Sequence, residues 1–301
     1  MPVDMVLGTR FFNCIPKVLS GPVLASKINK RFCHTTFSLK PNHSPYAQHP
    51  MVNDALPHQI ITGALIVKPN VAQFTKDGVQ FDDGSTVNNL DAVIFCTGYD
   101  MRFPYLEIEE EVVLKNEVKL YKYVFPPSLK KPTLAVIGNI QPLGAVNPIS
   151  ELQARLACRV FGRKVQLPSQ EDMEMDISRK REAMKKRYYD TKRHTVQVDF
   201  ITYCDELAEM IGCKPNLTKL FLSDLPLALK CFFGPCTPPQ YRLMGPGSWV
   251  GAKKAIEKAH NNVIYATKTR DTKQPSSSSA ITVAMIVAII LAMIVITCLV
   301  N

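Results

Sequence analysis

The order of hydrophobic and polar positions predicts three kinds of element along this chain. Between Val71 and Val87 apolar and polar residues alternate in short runs that break at Asp77-Gly78 and Asp83-Gly84. A period of two marks half-covered strands and Asp-Gly favours tight hairpin turns, so a small β-meander is predicted there. From Asp91 the alternation stops. Ala92, Val93, Ile94, Phe95 and Cys96 are consecutively apolar, which predicts a strand covered on both faces of a parallel sheet. Thr97-Gly98-Tyr99 ends the run with a hydroxyl, a residue without a side chain and an aromatic ring, and ligands gather beyond the carboxyl ends of such strands. Ile60–Val67 and Leu134–Ile137 read as further strands, the second closing on Gly138-Asn139.

The helical period appears at 25–37, in Ile149–Phe161, in the charged stretch Ser169–Asp190, in Ile201–Ile211 and in Leu220–Phe233, which Pro226 breaks. Asn147 or Ser150 is positioned to cap the helix at Ile149, whose amino end then presents free N–H groups and partial positive charge. Ala280–Val300 has a different pattern, 21 residues without a charge. As a helix it would measure about 31 Å, the thickness of a bilayer core. With Lys268, Arg270 and Lys273 before it and Ser276–Ser279 as a polar joint, it predicts a single-pass C-terminal transmembrane tail anchor with the body facing the cytosol. A glycolipid-anchor signal is the competing reading of such a tail. It requires a leader, and Met1–Arg10 has no basic n-region. The sequons at Asn42 and Asn216 are accordingly expected to be unused.

Composition changes this picture little. The 301 residues carry a net charge of +10, of which +8 belongs to residues 151–301. Clusters such as Arg179-Lys180-Arg181 and Lys185-Lys186-Arg187 lack the interleaved aromatics and modules of nucleic-acid binders, so no nucleic-acid partner is expected. Membrane lipid is the better-matched anionic surface. Nine scattered cysteines form no CxxC pair and fit reduced thiols. His34, His43, His49 and His58 have no metal-ligand spacing, so no metal site is predicted. The acidic run Glu107, Glu109, Glu110 and Glu111 reads as a solvated loop or helix start, and with no nucleophile or histidine beside it no catalytic side chain is assigned. Among 14 glycines only Gly245, Gly247 and Gly251 approach G-x-G-x-x-G, and that spacing is one residue too long.

Phe95-Cys96-Thr97-Gly98-Tyr99 resembles the Phe-Ala-Thr-Gly-Tyr signature of flavin-containing monooxygenases, with Cys96 in place of alanine. Val124–Leu129, Leu134–Arg155, Gly234–Thr237 and Tyr241–Ala252 resemble the vertebrate-type microsomal enzymes of that family in the family's order. The resemblance is to their C-terminal portion. The two glycine-rich turns that hold FAD and NADPH, and the motif Phe-x-Gly-x-x-x-His, are not in this sequence.

The resemblance implies an α/β fold, the remnant of a two-dinucleotide-binding-domain flavoprotein: a Rossmann-like sheet plus β-meander, then a mostly helical region and a C-terminal transmembrane helix. Residues 1–60 would be a linker and the end of the nicotinamide-binding domain, and 61–165 the meander and the C-terminal part of the FAD-binding domain. Residues 166–274 would form a helical substrate or membrane-associated region, and 275–301 the joint and tail anchor in the endoplasmic reticulum membrane. FAD and NADPH are the implied cofactors, O₂ and small amines or sulfides the implied reactants. Thr97, Gly98 and Tyr99 would sit at the junction of the cofactor domains, with Asn139, Gln141, Leu143 and Gly144 beside the flavin. Two function classes remain open: an oxygenase, and a catalytically inactive truncated form acting as a tail-anchored binding protein. A lipid-surface protein is a third reading, and pairing of two chains is left open.

Overall fold

The computed structural model of the chain describes residues 3–49, 53–188 and 195–270. Contacts divide the chain into two compact units, Met1–Ala259 and His260–Asn301. The first unit opens with helices α1 (Val3–Leu7), α2 (Arg10–Cys14), α3 (Lys17–Arg31) and α4 (Leu56–Ile61). The meander follows as β1 (Val71–Phe74), β2 (Gly78–Phe81) and β3 (Thr86–Asn88), an antiparallel sheet in sequence order. Gly78 is required at the start of β2, because a Cβ there would strike the backbone of Val87 and Asn88. A short α5 (Glu109–Val112) then runs into the two-residue strands β4 (Val113–Leu114) and β5 (Glu117–Val118).

The core is helical. In α6 (Val146–Phe161), residues Ile149, Leu152, Gln153, Leu156, Ala157 and Val160 are buried. That spacing is the stripe a helix needs to face a neighbour. The neighbour is α8 (Phe200–Ile211), which answers with Ile201, Cys204, Leu207, Ala208 and Ile211. Gly212 ends α8 in the left-handed conformation at φ 83°. Val112, Val124 and Phe125, all at 0% exposure, close the same core.

Helix α7 (Gln170–Arg187) begins where the Ser169 hydroxyl accepts the Asp172 N–H and ends on Lys185, Lys186 and Arg187, each end complementing the helix dipole. Beyond α8 come α9 (Leu217–Ser223), α10 (Leu225–Phe233) and α11 (Ala252–Tyr265). The break expected at Pro226 falls at Asp224, which caps α10 while the proline occupies its first turn. Leu220, Leu227, Ala228, Cys231 and Ile256 form a second, smaller core.

Several sequence expectations are corrected. Asp91–Cys96 is not a strand, and Ile94 and Phe95 are 84% and 70% exposed. An apolar run becomes a covered strand only beside other strands. Among the described residues none pairs with it, since the three-stranded sheet holds only β1, β2 and β3. Leu134–Ile137 is tied by the Val136 N–H to the Val124 carbonyl at 2.9 Å but, among the described residues, joins no ladder. Ile60–Val67 gives way to α4 and a turn, and of the helix expected at 25–37 only 25–31 is helical, as the end of α3, while 34–37 is turn. The parallel sheet is reduced, among the described residues, to one pairing of two residues, β6 (Gln141–Pro142) with β7 (Gln197–Val198).

The membrane expectation is corrected as well. Among the described residues no helix is long and apolar enough to cross a membrane. The C-terminal transmembrane helix, and the tail-anchored endoplasmic reticulum placement drawn from it, therefore have no support in the structure. Ala280–Val300, on which both were read, lies outside the described residues.

Candidate functional site

The segment from Gly138 to Ala145 brings several of the sequence-derived site residues together over the amino end of α6. Gly138 takes φ 82°, a conformation that side chains disfavour, and its N–H donates to Oε1 of Gln153 at 2.8 Å. The Ile140 N–H donates to the Gly138 carbonyl at 2.9 Å, closing a tight turn around Asn139. Gln141 is then fixed by β7: its N–H donates to the Val196 carbonyl at 2.8 Å, and its Oε1 accepts from Nε2 of Gln197 at 2.9 Å. Gly144, at φ 132°, approaches the Phe200 ring.

Three features of this loop bear on ligand chemistry. Nδ2 of Asn139 is buried and has no hydrogen-bond partner among the described residues, an arrangement that costs about 1–3 kcal/mol unless a partner is supplied. Ala145 precedes α6 with no side-chain cap, so Ser150 and Asn147 do not act as the caps expected. The N–H groups of Val146 and Asn147 therefore remain available at the positive end of the dipole. Leu143 is 58% exposed, and Gln141 is also exposed. Together these features set N–H donors at an exposed loop, a setting for a ligand's hydrogen-bond acceptors. A pair of phosphates has no comparable cradle among the described residues, since no glycine-rich turn leads from a strand into a helix there.

Thr97, Gly98 and Tyr99 are placed differently. All three are exposed, Tyr99 at 99%, and a Cβ added at Gly98 would meet nothing within 4 Å. Cys96 is exposed too, so its thiol does not take up core space.

Tertiary structure adds residues that no local motif marks. His49 bonds to the Gln141 backbone. Burial holds its pKa below the usual imidazole value, outweighing that bond, with Arg187 nearby acting in the same direction as burial. Arg187 itself donates to the Tyr46 carbonyl at 3.1 Å and pairs with Asp199 at 2.7 Å, tying the segment before His49 to α7. The only sequence signal for His49 was its residue type.

Two buried ionic clusters flank the helical core. Lys122 pairs with Asp176 at 3.1 Å and closely with Glu206, while Lys180 lies 2.9 Å from Glu206 and 3.3 Å from Asp176. Burial alone would lower the Lys122 pKa, but its hydrogen bond and charge interaction with Glu206 leave it raised. In Lys180 burial prevails and the pKa is lowered. On α2, Arg10 pairs with Asp205 and donates to Oε1 of Gln240 at 3.1 Å and to the Tyr241 hydroxyl at 3.3 Å. The thiol of Cys236 lies 3.6 Å from the latter two atoms. Burial pushes the nearby Cys231 thiol up to about 11, so it is a poor nucleophile at neutral pH. A small pocket lined by Pro148, Leu152, Phe200, Cys204 and Tyr241 has room for about one water molecule.

Comparison with known proteins gives a consistent family signal. The model of the flavin-binding monooxygenase-like family matches residues 1–300. Flavin-containing monooxygenase 5 of Cavia porcellus is 50% identical over 286 residues, 93% of this chain and 54% of its own length. The N-oxide-forming dimethylaniline monooxygenase 2 of the same species is 41% identical over 293 residues, 96% of this chain and 55% of that relative. The chain thus spans about half the length of the curated relatives it matches. Among solved structures, S-allyl-L-cysteine S-oxygenase from Allium sativum aligns with 65% of this chain and 43% of its own at 27% identity and a TM-score of 0.42, too low to bear on the fold.

Proposed function

Because this chain belongs to the flavin-binding monooxygenase-like family, we propose that it is the part of an NADPH- and FAD-dependent monooxygenase that meets the polar edge of the flavin ring. The substrates are small lipophilic compounds with a soft nucleophilic nitrogen or sulfur, oxygenated with O₂. A relative named for dimethylaniline N-oxide formation supports the amine class. One observation carries the reading: the buried Nδ2 of Asn139, unpartnered among the described residues, beside the uncapped amino end of α6.

When bound, the flavin supplies electron transfer and oxygen activation, and the protein supplies position and a dry setting. Asn139 donates to a ring-edge acceptor, Gln141 orients the loop, and bare Gly144 allows close approach. Leu143 covers the edge against water. Thr97, Gly98 and Tyr99 border the junction of the two cofactor domains in this reading and become covered when the phosphate-binding elements are in place. Residues 1–60, 61–165 and 166–274 serve as linker, meander with flavin-domain part, and substrate region.

A second reading is favoured by the exposed run at 92–99 and by the lack of glycine-rich turns in this sequence: a catalytically inactive binding protein. A visible spectrum separates the two. The chain is mixed with excess FAD, passed through gel filtration and examined for flavin absorbance that NADPH bleaches. About one flavin per chain supports the oxygenase reading, with Asn139→Ala lowering affinity roughly tenfold, the effect of one lost hydrogen bond in a dry site. A colourless protein supports the inactive one.

A further inference from the structure

Position 153 lies on the buried stripe of α6, between Leu152 and Leu156, where helical periodicity calls for an apolar residue. It is instead a glutamine at 0% exposure. Both polar atoms of its amide are partnered. Oε1 accepts the Gly138 N–H at 2.8 Å, and Nε2 donates to the Tyr203 hydroxyl at 2.9 Å. Tyr203, 3% exposed on α8, in turn donates its O–H to the Lys122 carbonyl.

Lys122 and the next residue, Tyr123, have φ of 52° and 56°, a region that residues other than glycine enter rarely and at a cost. That turn is held from both sides. The Lys122 side chain is anchored by Asp176 and Glu206, and its carbonyl by Tyr203. The Tyr123 and Tyr203 rings stack edge to face at 5.9 Å. A continuous buried line therefore runs from the strained turn at Lys122, through Tyr203 and Gln153, to the Gly138 turn that presents Asn139. The line cannot move a proton, because a backbone carbonyl only accepts and an amide does not titrate in the working range. What it can transmit is position.

We infer that Gln153 and Tyr203 are positioning residues that set the Gly138–Gly144 loop. A satisfied buried network locks one arrangement of the groups it joins. Here it joins the loop to the α7 and α8 ion cluster and fixes where the Asn139 amide points. The role assigned to the loop rests on the proposed function; the coupling does not, and it is tested without cofactor.

The test is amide hydrogen exchange at Gly138 in the full chain. Tyr203→Phe, which removes a hydroxyl that never touches Gly138, is expected to speed exchange there about fivefold to tenfold, the reach of one hydrogen bond, with the amides of α6 and α8 unchanged. Gln153→Leu should speed it at least as much, and the double variant should match Gln153→Leu alone, because both changes break one line. Unchanged protection in Tyr203→Phe, strictly additive effects, or loosening throughout α6 would each overturn the inference. Failure of FAD to bind the unaltered chain counts against the proposed function and leaves this coupling standing.

Discussion

Replacing Lys122 with methionine tests the ion cluster that anchors the strained turn. The side chain is 9% exposed and faces Asp176, itself 9% exposed, and Glu206, which is 26% exposed. Removing one partner of a buried pair costs about 3–5 kcal/mol when the other charge is stranded. Here it is not fully stranded, since Lys180 remains within 3.3 Å of Asp176 and 2.9 Å of Glu206. Arg179 also remains, 2.7 Å from Asp176, so the cluster passes from three cations and two anions to two of each, and Glu206 keeps some contact with water. The expected loss at pH 7 is therefore about 2–3 kcal/mol, below the stranded-charge range. At a urea dependence of roughly 2–3 kcal/mol per molar this moves the midpoint by about 1 M. Lys180→Met, at 23% exposure, should cost about 1 kcal/mol or less, as semi-exposed pairs do. The pH dependence fixes the cause. Burial acts to raise the Asp176 pKa, but Lys180 and Lys122 outweigh it and hold it low, so its contribution is present above the unfolded carboxylate value and is lost as pH falls through the folded one. The gap between Lys122→Met and the unaltered chain should thus shrink as pH falls through the carboxylate range. A variant as stable as the original at pH 7, or a gap that widens in acid, would refute the electrostatic account.

Leu207→Ala should cost about 2–5 kcal/mol in the same urea assay, because the residue is fully buried where α8 meets α6; a cost below about 1 kcal/mol would mean that this contact closes up without it. Asp199 is held below the usual carboxylate pKa, Arg187 and Lys17 outweighing burial. Arg187→Met should therefore reduce stability more above pH 4 than below the folded carboxylate pKa, where only its bond to the Tyr46 carbonyl is lost, read from unfolding midpoints across that window. The exposed pair Ile94 and Phe95 predicts that Ile94→Thr with Phe95→Ser leaves the midpoint within about 0.5 kcal/mol and lowers light scattering at high concentration, since exposed apolar runs promote association. A large loss of stability would mean that these side chains are covered.

How much of the fold could be read beforehand varied with the range of the interactions involved. The meander at Val71–Asn88 was legible because two Asp-Gly turns and a period of two act within a few residues. The helix read over the charged stretch Ser169–Asp190 was legible for the same reason, and its cap at Ser169 emerged with the structure. The α6 and α8 stripes announced that each helix buries a face but did not name the other as partner. Asp91–Cys96 misled because an apolar run states only that a strand would need cover, and cover comes from chain elsewhere.

In the candidate site, Asn139, Gln141, Leu143 and Gly144 were suggested by family resemblance, and the residues that hold their loop were not. His49, Tyr203 and Gln153 come from three distant segments, and Gln153 breaks the apolar stripe on which it lies. By itself the sequence determined that helices occupy most of 149–161, 170–187 and 201–211 and that turns fall at the two Asp-Gly pairs, since period and backbone preference are properties of adjacent residues. Only the tertiary structure decided that a buried amide joins the Gly138 turn to Lys122, because a hydrogen bond between residues 15, 50 or 81 positions apart exists only once packing has excluded water from both ends.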